Sequence, residues 1–224
     1  MKKLKFLTYM VFIVVLAAAI YHLSLKYRHE NKILKEIITR LEAESRIAEV
    51  LVTGVNYDEK TKKRQTTIKF LEYDVGGKPL KPKYFTFSGN IIQFQSLVIR
   101  FDDMYIRKAD KLRGKSAYLF WKVFMLDGKN TQEYEITKVN QIPAGYKIDD
   151  IKNGFEEKLW EKFWMYALEP KEAKKMGIKN AQIEAPGTIF MPGSLYVLKI
   201  EHDGGMRIDA VLLPVILKGE KIPE

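Results

Sequence analysis

Four side chains stand where a sequence could place chemistry. Asp102 and Asp103 directly follow an apolar run ending at Phe101, with Arg107 and Asp110 close behind. Two carboxylates at a strand end can bind a hard cation or divide acid and base roles between them. The plainer reading is that they accept backbone N–H bonds as the chain leaves the strand, with Arg107 offsetting their charge. No Asx-x-Asx-Gly calcium loop accompanies them. Glu201 and His202 end another apolar run, ahead of Asp203-Gly204-Gly205. A Ser-His-Asp triad would have to use His202, and no Gly-x-Ser-x-Gly elbow is present. Gly204-Gly205 lacks the following helix and the lysine-hydroxyl pair of a phosphate loop, so a tight hairpin explains it. Asp102, Asp103, Glu201 and His202 are thus the candidate catalytic residues, and each has a structural reading beside the chemical one.

Composition narrows the chemistry further. With no cysteine there is no disulfide, thiolate metal site or cysteine nucleophile. The three histidines, His22, His29 and His202, are too scattered for a His-rich metal site, and no cofactor motif is read. The net charge is +10, of which residues 1–32, with six Lys/Arg and one Glu, supply half. The rest is spread along the chain and is mostly lysine, a mobile point charge suited to solvated faces and anionic lipid. It carries no base-reading pattern, so nucleic acid is not expected as a partner. The densest basic cluster, Lys60, Lys62, Lys63 and Arg64, falls in a polar loop between two strand-like runs. It reads as a solvated hairpin tip, with contact to an anionic surface as the functional alternative.

These residues must be held by a membrane segment, a connector and a folded domain. Phe6–Leu25 is a twenty-residue stretch without formal charge, preceded by Lys2, Lys3 and Lys5. As a helix it is about 30 Å long, the thickness of a hydrocarbon core. The competing reading is a cleaved signal peptide, with Phe6–Leu16 as its apolar core and Ala17-Ala18-Ala19 as the cleavage site. The apolar pattern continues through Ile20, Tyr21, Leu23 and Leu25, which favours an uncleaved anchor in contact with lipid through residues 6–25. Basic residues flank both ends, so charge alone does not orient the span. A long domain behind an N-terminal signal-anchor is expected to be translocated.

Residues 26–50 are expected to continue the helix as a stalk. Tyr27, Leu34, Leu41 and Ala48 recur seven apart, Ile37, Ile38 and Leu51 lie beside them, and Glu36–Arg40, Arg40–Glu44 and Glu42–Arg46 are opposite charges at i,i+4. The stripe admits a homodimeric coiled coil or a helix packed on its own domain. From residue 51 to 213 a β-rich domain follows, and 214–224 forms a C-terminal tail. Val50–Tyr57 and Thr66–Tyr73 read as one hairpin, Tyr84–Phe87 and Ile91–Phe101 as a second across Ser88-Gly89-Asn90, and Ser116–Leu126 as a strand that Tyr134–Val139 could join. Further strands are expected at Ala181–Ala185, Ser194–His202 and Met206–Leu213. One amphipathic helix interrupts them: Phe155, Leu159, Trp160, Phe163, Trp164, Ala167 and Leu168 share a face, with Asn153 as N-cap. Pro170 starts a second, short helix that Gly177 closes. The Trp160/Trp164 face reads as core. The fold class is therefore mostly β (α+β), with a transmembrane helix, a helical stalk and one main amphipathic helix.

Three stretches carry a resemblance: Phe101-Asp102-Asp103 through Lys111-Leu112-Arg113-Gly114-Lys115-Ser116; Phe155-Glu156-Glu157-Lys158-Leu159-Trp160-Glu161-Lys162-Phe163-Trp164; and Gly193-Ser194-Leu195-Tyr196-Val197 with Gly204-Gly205-Met206. Together they resemble an uncharacterised group of bacterial membrane-anchored envelope proteins with an N-terminal span, a helical stalk and a β-rich domain. The resemblance covers roughly residues 5–210, implies no activity and transfers no functional residue. It implies a single-pass protein of the inner (cytoplasmic) membrane with its domain in the periplasm or outside. The expected function is a non-enzymatic interaction or scaffolding module with a protein partner in the envelope. The alternatives are an anchored enzyme acting on envelope polymer and a binder of anionic lipid or polymer.

Overall fold

The computed structural model describes residues 2–41, 46–60, 62–101, 116–127, 130–148, 154–169, 178–201 and 205–213. It opens with one unbroken helix, α1 (Lys2–Leu41), about 60 Å long at 1.5 Å per residue. From Tyr9 to Leu16 every side chain is exposed, Phe12 and Val14 by more than 60%. A helix apolar on every side and bare of protein has the composition of a membrane span or a signal sequence. Among the described residues, α1 is the one helix long and apolar enough to cross a membrane.

The last turns of α1 behave differently. Ile33, Ile37 and Leu41, four residues apart, are buried. They pack in one cluster with Leu97, Ile99, Ala117 and Leu119 of a sheet and with Trp160, Phe163 and Trp164 of a second helix, α2 (Gly154–Leu168). The expected helical stalk over 26–50 is therefore corrected. The described helix runs to Leu41, and strand β1 (Arg46–Asp58) is already under way at Arg46. The seven-residue stripe fails with it. Tyr27 is exposed, Leu41 is spent on the domain's own core, and Ala48 faces the interior of a sheet. The alternation Arg46, Ala48, Val50, Val52, all inward, overrides the helical charge pairing that would have carried α1 onward.

Two antiparallel sheets form the domain. In the first, the order is β10 (Met206–Leu212), β9 (Ser194–Ile200), β1, β2 (Lys63–Glu72), β3 (Lys83–Phe87). In the second it is β6 (Asn130–Glu135), β5 (Ser116–Asp127), β4 (Ile91–Phe101), β7 (Ile178–Glu184), with β8 (Gly187–Ile189) also pairing β4. Inward residues of both sheets interdigitate in an aromatic-rich core. Phe70 stacks on Phe94 at 5.7 Å and meets Phe120 edge-on at 5.6 Å. The outer face of the second sheet is covered at Leu97, Ile99, Ala117 and Leu119 by α2 and the end of α1, a third layer. Trp160 and Trp164 are fully buried there, as their helical spacing predicted.

Several strand expectations shift in detail. Tyr84–Phe87 and Ile91–Phe101 do not form a hairpin: β3 pairs with β2, while β4 pairs with β5 and β7. The Ser88-Gly89-Asn90 turn carries the chain from one sheet to the other. The partner of β5 is Asn130–Glu135, earlier than Tyr134–Val139. Ile136 and Thr137 instead donate their N–H groups to the Trp121 carbonyl, at 2.8 and 3.0 Å. Trp121 is the extra residue of a bulge in β5, since Lys122 opposes Gln95 and Phe120 opposes Ser96. The expected Asn153 cap and the short helix after Pro170 lie outside the described residues.

Candidate functional site

The same alternation that builds the core drives two charges into it. On β1 the inward series is Arg46, Ala48, Val50, Val52; on β2 it is Thr66, Ile68, Phe70, Glu72. Ala48 opposes Glu72, so Arg46 and Glu72 are diagonal neighbours on one face. Arg46 is 1% exposed and Glu72 8%, and they form a tight ion pair through Arg46 Nη2 and Glu72 Oε1. The guanidinium also lies over the Tyr146 ring, 4.9 Å from its centre. Gly145 is pressed so closely against Arg46 that a Cβ there would collide with the guanidinium. Tyr146 is held in turn by the β5 backbone. Its hydroxyl accepts the Tyr118 N–H at 3.0 Å and donates to the Tyr118 carbonyl at 3.2 Å. Burial pushes the Tyr146 phenol up to about 12, so it stays protonated.

Beside this pair opens a cleft of about 180 Å³ lined by Glu72, Lys83, Glu135, Thr137, Lys138 and Gln141, among others. Lys83 opposes Phe70 at the start of β3 and donates from Nζ to the Ile136 carbonyl. Burial pushes its ammonium below the usual lysine range, with Glu72 pulling it back up. Burial likewise pushes the Glu72 carboxyl up, against the pull of Arg46. Both groups are engaged: Glu72 with a guanidinium, Lys83 with a carbonyl. The exposed Lys138 and Gln141 border the cleft, the Thr137 hydroxyl is spent on the Phe120 carbonyl at 2.7 Å, and the charged groups within it work as a latch. That latch ties the ends of β1 and β2 to the segment 136–146.

A second buried charge joins the two helices. Glu156, in the first turn of α2, is 1% exposed, and its Oε1 has no hydrogen-bond partner among the described residues. Burial pushes its carboxyl up, while a hydrogen bond from the Ile148 backbone and the nearby Arg40 charge pull it down. Arg40, on the last turn of α1, donates from Nη1 to the Lys147 carbonyl at 2.6 Å and meets Glu36 at 3.5 Å. The end of α1 is thus fixed to the domain by apolar packing and by this polar corner.

The residues that sequence reasoning singled out do not assemble into one site among the described residues. Asp102, Asp103 and His202 lie outside them. Glu201 is placed, and its carboxylate meets Lys199 at 3.1 Å and Arg207 at 3.4 Å, the arrangement of a surface ion pair. The Glu201 N–H donates to the Gly205 carbonyl at 2.8 Å, the hairpin closure expected of Gly204-Gly205. Lys60, Lys62, Lys63 and Arg64 are exposed at the β1–β2 tip. No three His, Cys, Asp or Glu gather as a metal set among the described residues. Arg46 was missed because it was assigned to the stalk. Glu72 could have been found, since it continues the inward parity of Ile68 and Phe70. The chain matches no family model, no curated protein and no solved structure.

Proposed function

We propose that the protein is a single-pass, membrane-anchored interaction module of the bacterial cell envelope, with its β-sandwich outside the cytoplasm and without catalytic activity. The observation that carries this reading is the continuity of α1. One helix passes from an apolar, fully exposed stretch into the core at Ile33, Ile37 and Leu41, so the domain is rigidly joined to its membrane segment. Lys26–Lys32 leave about 10 Å of helix between the end of the apolar stretch and the first buried contact, which keeps the domain beside the bilayer. Arg46, Glu72 and Lys83 are locked in the latch, and Glu156 is buried between the helices away from that cleft, which favours a binding role over an enzyme acting on envelope polymer. The length of the domain that follows an N-terminal signal-anchor supports an outside location. The test combines carbonate extraction and protease access in intact spheroplasts with photo-crosslinking in the cell from exposed Ile183 and Tyr84. An uncleaved, carbonate-resistant chain, digested from outside and yielding a discrete heteromeric adduct, is the expected result. A soluble mature chain, a protected domain or adducts no different from those of an unrelated anchored control would overturn it.

A further inference from the structure

One end of the sandwich joins a projecting basic arm to bare apolar side chains. The last residue of β1 paired with β9 is Leu51, opposite Leu195, and the last residue of β2 paired with β3 is Thr66, opposite Phe87. Beyond those points β1 and β2 pair only with each other, out to Asp58 opposite Lys63. The arm therefore stands clear of its neighbours, by about 10 Å from Val55 to Asp58. It carries Tyr57, 62% exposed, and the cations Lys60, Lys62, Lys63 and Arg64 against two acids, Asp58 and Glu59. The Asp58 carboxylate is engaged in the turn, accepting the Lys60 N–H at 2.9 Å and the Gln65 amide at 3.4 Å.

The strand ends of the second sheet at this end of the sandwich carry exposed apolar side chains. Ile91 opposes Ile189, and they are 59% and 53% exposed. Gln93 opposes Phe124, so Leu126, 63% exposed, falls beside Ile91. Phe190 N donates to the Asn90 carbonyl at 2.8 Å and Leu213 N to the Gly193 carbonyl at 3.1 Å, drawing exposed Met191 and Leu212 into the same group. A tyrosine, a ring of lysines and isolated aliphatic tips match a headgroup layer. Lysine and tyrosine span its polar and apolar depths, and short aliphatic side chains dip below.

We infer that this end of the sandwich docks on the anionic lipid surface of the membrane that α1 enters. The inference rests on α1 as a membrane anchor. The short helical tether already holds the domain at that surface, so docking costs little translational freedom. Each Lys or Arg near an anionic leaflet favours contact by about fivefold.

The chain has no cysteine, so Tyr57→Cys, Ile189→Cys and Lys78→Cys each give the full-length protein one labelling site. Lys78 serves as the control. It lies in the Asp74–Lys78 turn just past Glu72, which opposes Ala48 at the far end of the sandwich. Each labelled protein is placed in nanodiscs of phosphatidylcholine alone or mixed with phosphatidylglycerol, with quencher-bearing lipid. In phosphatidylglycerol discs the fluorophores at 57 and 189 blue-shift and are quenched several-fold, and the one at 78 is not. Phosphatidylcholine discs leave all three unquenched. Changing Lys60, Lys62, Lys63 and Arg64 to Gln together abolishes quenching at 57 and 189 while the protein stays in the disc. Fluorophores at 57 and 189 that remain in water in both lipids, equal quenching in both, or quenching at 78 instead would overturn the docking and leave the anchor standing. Protein that leaves the disc altogether would overturn both.

Discussion

Arg46 and Glu72 face inward because strand alternation gives them no other side, and each makes the other tolerable there. Breaking a buried ion pair by removing one partner leaves an uncompensated charge and typically costs ~3–5 kcal/mol. Glu72→Ala is expected to destabilise by that amount, and the double variant Arg46→Met/Glu72→Leu to recover most of it. Urea unfolding of the full chain in nanodiscs measures both. Glu156 keeps one oxygen, Oε1, without a hydrogen-bond partner among the described residues. Its carboxyl is pushed above the ordinary value of 4.5 by burial, so in the window just above 4.5 the native state binds more protons than the unfolded chain. Stability from this group therefore falls as pH rises through that window and is level above its native pKa. Glu156→Gln should flatten that part of the curve and be at least as stable as wild type at neutral pH, as unfolding curves across the window would show. A steeper curve or a destabilised variant would contradict the unpartnered oxygen. Trp164 fills the core and donates from Nε1 to the Gln141 carbonyl at 2.8 Å. Trp164→Ala should cost ~3–5 kcal/mol, and an unchanged melting temperature would refute its core role.

At the scale of elements, α1 changes character along its length, from an exposed apolar stretch ending near Leu25 to one buried apolar stripe at Ile33, Ile37 and Leu41. Truncating the middle of that stripe, Ile37→Ala, should cost ~2–5 kcal/mol of domain stability although the residue belongs to the anchor helix. If unfolding of the β-sandwich is indifferent to it, the helix is not part of the core. The membrane segment and α2 were legible because their apolar patterns are long and uninterrupted. The β1–β2 hairpin was legible from alternation on both sides of a polar loop. The change from helix to strand before Arg46 was not, since Glu42–Arg46 continues a helical charge pattern and a buried arginine reads as surface. The switch of sheets between β3 and β4 was hidden too. Three turn residues suit a hairpin as well as a corner, and only packing of Phe85, Phe87, Ile92 and Phe94 into one core decides. The latch was half visible, in the parity of Glu72; its partner fell on the wrong element. Strand β8 has three residues, too few to show a period.

For the whole molecule, the proposed anchoring means that one rigid helix runs from the bilayer into the sandwich core and holds the domain at the membrane surface. That helix takes Ile37 and Leu41 into its own domain, so this part of the stripe is not available to a second chain. The docking inferred for the loop end rests on that anchor. The most direct test is a nitroxide scan of the cysteine-free chain, one position at a time from Ser24 to Leu41, in proteoliposomes. Accessibility to oxygen and to a water-soluble nickel chelate is read at each site. The expected result is lipid exposure up to about Leu25, water exposure with helix-like restricted mobility from Lys26 to Lys32, and a 3.6-residue period from Ile33 to Leu41. Tyr27, Arg28 and Lys35 should be water-exposed, and Ile33, Ile37 and Leu41 immobilised and inaccessible to both reagents. High, coil-like mobility throughout Lys26–Glu36, with Ile33 and Ile37 as accessible as Lys35, would mean a flexible linker and contradict it.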